Sequence, residues 1–161
     1  MKVRFEHVIS APLEQVLEAY RDDTFYIEKL KNSGALSVEI LEKEEMPGGK
    51  LRKKVKATEP SRIPQPFRRA EVDEFIDDNV LDPETGTLVW KVTPSMAADK
   101  FFLSGVLEFH GDGGSTRMVF NTELEVKIPF VGNKVEKIGL AKTEEEVETQ
   151  VAFIKKWMQE H

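Results

Sequence analysis

Over the first ten residues Val3, Phe5, His7 and Ile9 alternate with Lys2, Arg4, Glu6 and Val8. A period of two marks a strand with one buried face. Ser10 followed by Pro12 predicts a helix start. Val16, Leu17 and Tyr20 gather on one side of that helix. Asp22 or Asp23 opens a second short helix carrying Phe25, Ile27 and Leu30, and Asn32-Ser33-Gly34 closes it.

The pattern then turns to strands. Leu36, Val38 and Ile40 alternate with charged or small residues, and Met46-Pro47-Gly48-Gly49 is a turn. Leu51, Val55 and Ala57 follow, among Lys50, Arg52, Lys53, Lys54 and Lys56. Pro60, Pro64 and Pro66 predict a loop from Glu59 to Phe67. A strand is expected from Ala70 to Val80, with Ala70, Val72, Glu74 and Ile76 on its inner face. Asp82-Pro83-Glu84-Thr85-Gly86 turns the chain into the alternation of Leu88, Trp90 and Val92. Lys100 to His110 and Thr116 to Ile128 form a last hairpin around Gly111-Asp112-Gly113-Gly114.

The C-terminal third has helical spacing, and its apolar positions form two stripes. Val131, Val135 and Ile138 make one; Leu140, Val147, Val151, Ile154 and Met158 make the other. An ideal helix turns about 100° per residue, so Val135 and Val151 lie about 160° apart around a straight axis. This predicts a kink or break between Gly139 and Glu146, or a continuous helix whose first turns pack on loops. A bend there would let the segment from Gly132 to Ala141 act as a gate. The element order is strand, two helices, six strands, long helix. It predicts an α+β domain over residues 1–161, with a curved antiparallel sheet of about seven strands closed by one amphipathic helix. A gap between such a sheet and its helix is where a ligand goes.

Composition narrows the function. A net charge of −6 argues against a basic nucleic-acid-binding face. The absence of cysteine removes disulfides, thiolate chemistry and cysteine-bound metal. No apolar run has the length of a membrane span, and the first residues lack a signal peptide's apolar core, so a cytoplasmic protein is expected. His7, His110 and His161 have no metal-ligand spacing, no Gly-x-Ser-x-Gly elbow is present, and the glycines at 111–114 lack the lysine and helix of a phosphate loop. The reading therefore includes no metal, cofactor or nucleic-acid partner.

What remains is a lining with a few polar groups. Trp90, Leu103, Leu107, Phe120, Leu124, Val147 and Val151 are the expected apolar walls. His7, Glu74 and Thr122 are the expected inward polar groups, either satisfied within a core or orienting a ligand. Lys50, Arg52, Lys54 and Lys56 share one face of a strand. They read as a solvated face that deters aggregation, or as a surface for anionic membranes or a partner, with Arg62, Arg68 and Arg69 adding to it. Phe67 and Phe130 each follow a proline in a loop or junction, where an aromatic packs under the loop or lines a cavity mouth.

Two segments carry a family resemblance. One is Phe5-Glu6-His7 followed by Ser10-Ala11-Pro12-Leu13-Glu14-Gln15-Val16; the other is Ile128-Pro129-Phe130-Val131-Gly132-Asn133-Lys134-Val135-Glu136, with Trp157 near the end. With the element order, they resemble the START-like helix-grip superfamily, which includes the birch-pollen allergen and polyketide cyclases. Within it they look like the uncharacterised bacterial DUF2505 group. The resemblance implies a helix-grip fold and a ligand cavity across the whole chain. The leading expectation is binding, carriage or sensing of a small hydrophobic molecule, with lipids among the candidates. The alternatives are a cyclase or hydratase using His7 with Glu74 as acid–base pair, and an interaction module of the chaperone-regulator kind.

Overall fold

The computed structural model describes residues 1–61, 65–66, 68, 70–96 and 98–161. The order is β1 (Lys2–Ile9), α1 (Leu13–Arg21), α2 (Asp23–Asn32), β2 (Ser37–Glu45), a 3₁₀ turn at Pro47–Gly49, β3 (Leu51–Pro60), β4 (Val72–Asp82), β5 (Thr87–Pro94), β6 (Phe101–Asp112), β7 (Ser115–Val126) and α3 (Gly132–Glu160). The seven strands form one antiparallel sheet in the order β1-β7-β6-β5-β4-β3-β2. With α3 laid along it, this is the expected helix-grip α+β architecture. Arg62, Ile63, Pro64, Phe67, Arg69 and Ala97 lie outside the described residues, and with them part of the proline loop and of its arginines.

Local chemistry sets the element boundaries. Asp22 caps α2, its carboxylate accepting from the amides of Thr24 at 2.8 Å and Phe25 at 3.3 Å. Ser10 is not the cap of α1; that helix begins at Leu13, after Pro12, with no side-chain cap. β3 runs through Glu59 to Pro60, so the proline loop begins later than its composition predicts.

The main core joins Ile9, Val16, Phe25, Leu51, Leu81, Phe109, Met118 and Ile154. Phe25 meets Tyr20, Phe153 and Trp157 at centroid distances of 5.1, 5.7 and 5.3 Å, tying both short helices to the end of α3. Burying an aliphatic or aromatic side chain of this kind is worth roughly 1.5–3 kcal/mol. A smaller cluster of Leu124, Val126, Val135 and Leu140 holds the start of α3.

The expected break in the long helix is absent: α3 is one element from Gly132 to Glu160. Its first turns do not pack on loops either, because Val135 and Leu140 join Leu124 and Val126 of β7. Different partners resolve the two stripes: Val135 and Leu140 join the β7 cluster, and Val147, Val151 and Ile154 join the main core, where α3 meets β1, β7 and α2. Gly139 permits the close approach; a Cβ there would stand 2.6 Å from Leu124 Cδ2. Thr143 Oγ1 donates to the Gly139 carbonyl at 3.0 Å inside the unbroken helix, so Thr143 does not start a new one.

Candidate functional site: an apolar cavity with one polar pole

A cavity of about 290 Å³ lies between the sheet and α3. Its size is at the lower end of small-molecule sites, which run from ~300 to 1,000 Å³. The sheet supplies Leu88, Trp90 and Val92 from β5, Leu103 and Leu107 from β6, and Phe120, Thr122 and Leu124 from β7. Val147 and Gly139 close it from α3. Gly105 makes room for the Trp90 indole, because a Cβ at 105 would stand 2.5 Å from the ring. At one end the wall is built from strand termini: Glu59, Asp73, Pro94, Phe101 and Val126. Phe130, in the link from β7 to α3 at that same end, is fully exposed and takes a positive φ of 69°.

The opposite wall is polar and comes from α1, α2 and β4. β4 inverts the usual alternation. Its inward residues are Asp73, Phe75, Asp77, Asn79 and Leu81, and Val72, Ile76 and Val80 turn outward. Asp77 and Asn79 are buried and satisfied by Tyr26. The Tyr26 hydroxyl donates to Asp77 Oδ2, while Asn79 Nδ2 donates to Tyr26 Oη at 2.9 Å and to Asp77 Oδ1 at 3.3 Å. One turn along α2, the Lys29 ammonium lies 4.7 Å from the centroid of the Tyr26 ring and 5.4 Å from that of Tyr20. Positions 26 and 29 share a face because residues three apart are neighbours on a helix.

Burial dominates the electrostatics here. It draws the Lys29 amine down to about 8, against the pull of Asp77 and Glu146. It pushes the Asp77 carboxyl up, although Tyr26 and Lys29 oppose it. It also raises both tyrosines. The hydroxyls of Tyr20 and Ser33, both on the cavity wall, are buried with no hydrogen-bond partner among the described residues. Lys53 adjoins this pole from β3, 1% exposed, and is satisfied by Asp23 at 2.9 Å and the Arg21 carbonyl at 3.2 Å.

Of the residues selected from sequence, Trp90, Leu103, Leu107, Phe120, Thr122, Leu124 and Val147 line the cavity; His7, Glu74 and Val151 do not. His7 is on the edge strand and stands edge-on, at 6.1 Å, to Phe120, which does line the space. Val151 is buried in the main core, one turn beyond Val147. Glu74 is on the outer face, paired with Lys56 at 3.5 Å. Three strands lie between β1 and β4 in the sheet, so His7 and Glu74 cannot form an acid–base pair. Tyr20, Tyr26, Lys29, Asp77 and Asn79 were not selected. The available signal was the reversed alternation of β4, with acids and an amide where apolar residues are expected.

The basic strand is largely neutralised. Arg52 holds Asp78 through two nitrogens at 3.2 and 3.1 Å and Glu42 at 3.3 Å. Lys50 reaches Asp82 at 3.9 Å, and Lys54 is in register with Asp78 and Glu42. Among the described residues no group of three His, Asp or Glu side chains could hold a metal ion. Among the described residues no helix is long and apolar enough to cross a membrane.

The DUF2505 family model, described as a protein of unknown function, matches residues 4–158. No curated protein matches the sequence. Among solved structures, the ZhuI aromatase/cyclase from Streptomyces sp. R1128 is 16% identical with a TM-score of 0.73, over 99% of this chain and 93% of that one. Truncated norcoclaurine synthase from Thalictrum flavum is 17% identical with a TM-score of 0.68, over 100% and 94%. A START superfamily protein from Mycobacterium smegmatis is 18% identical with a TM-score of 0.63, over 97% and 98%. At these identities the likeness establishes the fold.

Proposed function

The chain belongs to the DUF2505 family of proteins of unknown function, and on that footing we propose that it binds a small, largely apolar molecule in the cavity between the sheet and α3, as a carrier or sensor. One observation carries this reading: an apolar cavity of about 290 Å³ has a wall of buried polar groups, two of them hydroxyls with no partner among the described residues. Apolar walls with a few convergent polar groups are the usual make-up of a small-molecule site. An interaction module would instead favour a filled interior. Lipids remain candidate ligands, but a membrane-docking role for the Lys50-to-Lys56 strand finds little support, since its cations already face Glu42, Glu74, Asp78 and Asp82.

Native mass spectrometry of the protein from its expression host tests the reading, together with displacement of the neutral fluorophore phenylnaphthylamine by medium-chain amphiphiles. A bound small molecule or saturable displacement is expected. Leu107→Trp, which fills the cavity, should weaken the probe at least about tenfold, the scale of one lost apolar contact set. Unchanged probe affinity in a folded Leu107→Trp protein would overturn the assignment of the site.

A further inference from the structure

The chain buries two lysines side by side against Tyr26, and they differ in kind. The Lys53 ammonium lies 5.1 Å from the Tyr26 ring centroid and has both a carboxylate and a carbonyl as partners. That is how a buried cation is held when its role is structural. Lys29 is 6% exposed and makes no such close pair among the described residues; its ammonium lies over the faces of Tyr20 and Tyr26, and Asp77 and Glu146 act on it only through space. It also lines the apolar cavity, which Lys53 does not. Desolvation in an apolar pocket lowers an amine's proton affinity and so raises its share of nucleophilic free base.

We propose that Lys29 is a reactive amine that condenses with the carbonyl of an apolar aldehyde or ketone seated in the cavity. The inference rests on the cavity being a ligand site. The Nζ lone pair forms a bond to the carbonyl carbon, and the C=O π pair moves to oxygen. A proton passes from nitrogen to oxygen, giving a carbinolamine. The hydroxyl takes up a second proton and leaves as water as the nitrogen lone pair forms the C=N bond, and the resulting iminium releases its remaining N–H proton, which replaces the one taken up. Aldehyde and amine give imine and water, with no change in oxidation state and no further reactant.

The surroundings select the substrate class. Among the described residues the charged groups acting on Lys29 from the packed elements are Asp77 of β4, Glu146 of α3 and Lys53 of β3; the hydroxyl groups beside it are Tyr20 of α1 and Tyr26 of α2. The amine must be neutral to attack, and the apolar walls of Leu88, Leu103, Leu107 and Phe120 leave a neutral carbonyl compound as the substrate class. The lowered Lys29 value of about 8 supports the same reading, since it gives far more free amine at neutral pH than an ordinary lysine near 10.5 has.

The experiment uses decanal with sodium cyanoborohydride, which fixes an imine as a stable secondary amine, and decanol as the matching ligand without a carbonyl. Adducts are located by peptide mass mapping, and phenylnaphthylamine displacement reports entry into the cavity. The expected result is one decyl adduct on Lys29, formed at least about tenfold faster than on any other lysine. It should be absent from Lys29→Met and Lys29→Arg, while decanol displaces the probe from the wild type and from whichever variant folds. Adducts spread over exposed lysines, with Lys29 spared although decanol displaces the probe, would overturn the imine chemistry and leave the ligand site standing. Failure of both decanol and decanal to displace the probe would remove the ligand site and the proposal together.

Discussion

Gly105 of β6 lies against the indole of Trp90 of β5, the residue opposite it in the sheet. A Cβ at position 105 would stand 2.5 Å from Trp90 Cζ2 and 2.3 Å from the Asn121 carbonyl oxygen. Neither contact is possible without movement, and the carbonyl belongs to the backbone of β7. Gly105→Ala should therefore cost about 1–3 kcal/mol in urea unfolding, the usual scale of overpacking. It should also push Trp90 into the cavity and weaken phenylnaphthylamine. A variant with wild-type stability and probe affinity would mean that the sheet relaxes there freely.

Tyr26→Phe tests the polar pole. The substitution removes the hydroxyl that donates to Asp77 and accepts from Asn79. Both partners stay buried, so the expected loss is about 1–3 kcal/mol at neutral pH. The sign of its pH dependence follows from Asp77. Its folded-state pKa is raised by burial, and Tyr26 is the largest group holding it down. Without Tyr26 the carboxyl binds its proton still more readily when folded than when unfolded. Lowering the pH through the folded value then favours the folded variant. Denaturant titrations at neutral and mildly acidic pH should show the deficit shrinking with acid; a constant deficit would contradict the network.

Lys29 gives a signature on the alkaline side. Its folded amine titrates at about 8 against an ordinary 10.5. Between those values the unfolded chain holds the extra proton, so this group makes stability rise as pH climbs from about 8 to about 10.5. Lys29→Met should remove that rise. At neutral pH it should be more stable than the wild type by roughly 1–3 kcal/mol, because a desolvated ammonium is gone. Melting temperatures of both proteins across this range check the claim. A less stable Met variant with the alkaline rise intact would show that Lys29 holds the fold as an ordinary cation.

The strand Lys50, Arg52, Lys54 and Lys56 should not carry the protein to membranes. Exposed charge attraction is screened over about 10 Å at 0.1 M salt, so membrane docking by this face would weaken steeply with salt. The expected result in co-sedimentation with anionic vesicles is weak association, indifferent to salt and unaltered by Arg52→Ala. Strong association at low salt that this substitution abolishes would restore the docking surface.

Much of the architecture was legible in the chain. The alternation in β1, the Asp22 cap, the Asp-Pro-Glu-Thr-Gly turn, the last hairpin and the C-terminal helical spacing each report a local rule, and local rules are written in neighbouring residues. The apolar walls followed as well, because Trp90, Leu103, Leu107, Phe120, Leu124 and Val147 sit on correctly read inner faces. The tertiary structure decided the rest. Strand order put His7 and Glu74 three strands and one sheet face apart, which no local pattern encodes. Two separate sets of partners let α3 run unbroken where straight-helix geometry predicts a break. In β4 the hydrophobic rule pointed to the wrong face. Asp77 and Asn79 face inward because Tyr26, distant in sequence, supplies their hydrogen bonds, while Asp78 faces out to Arg52. A buried polar group is stable only with its partner beside it. Which of the chain's lysines and acids acquire such partners depends on contacts between distant segments, and so does the placing of Lys29, which faces the cavity with no ion pair among the described residues.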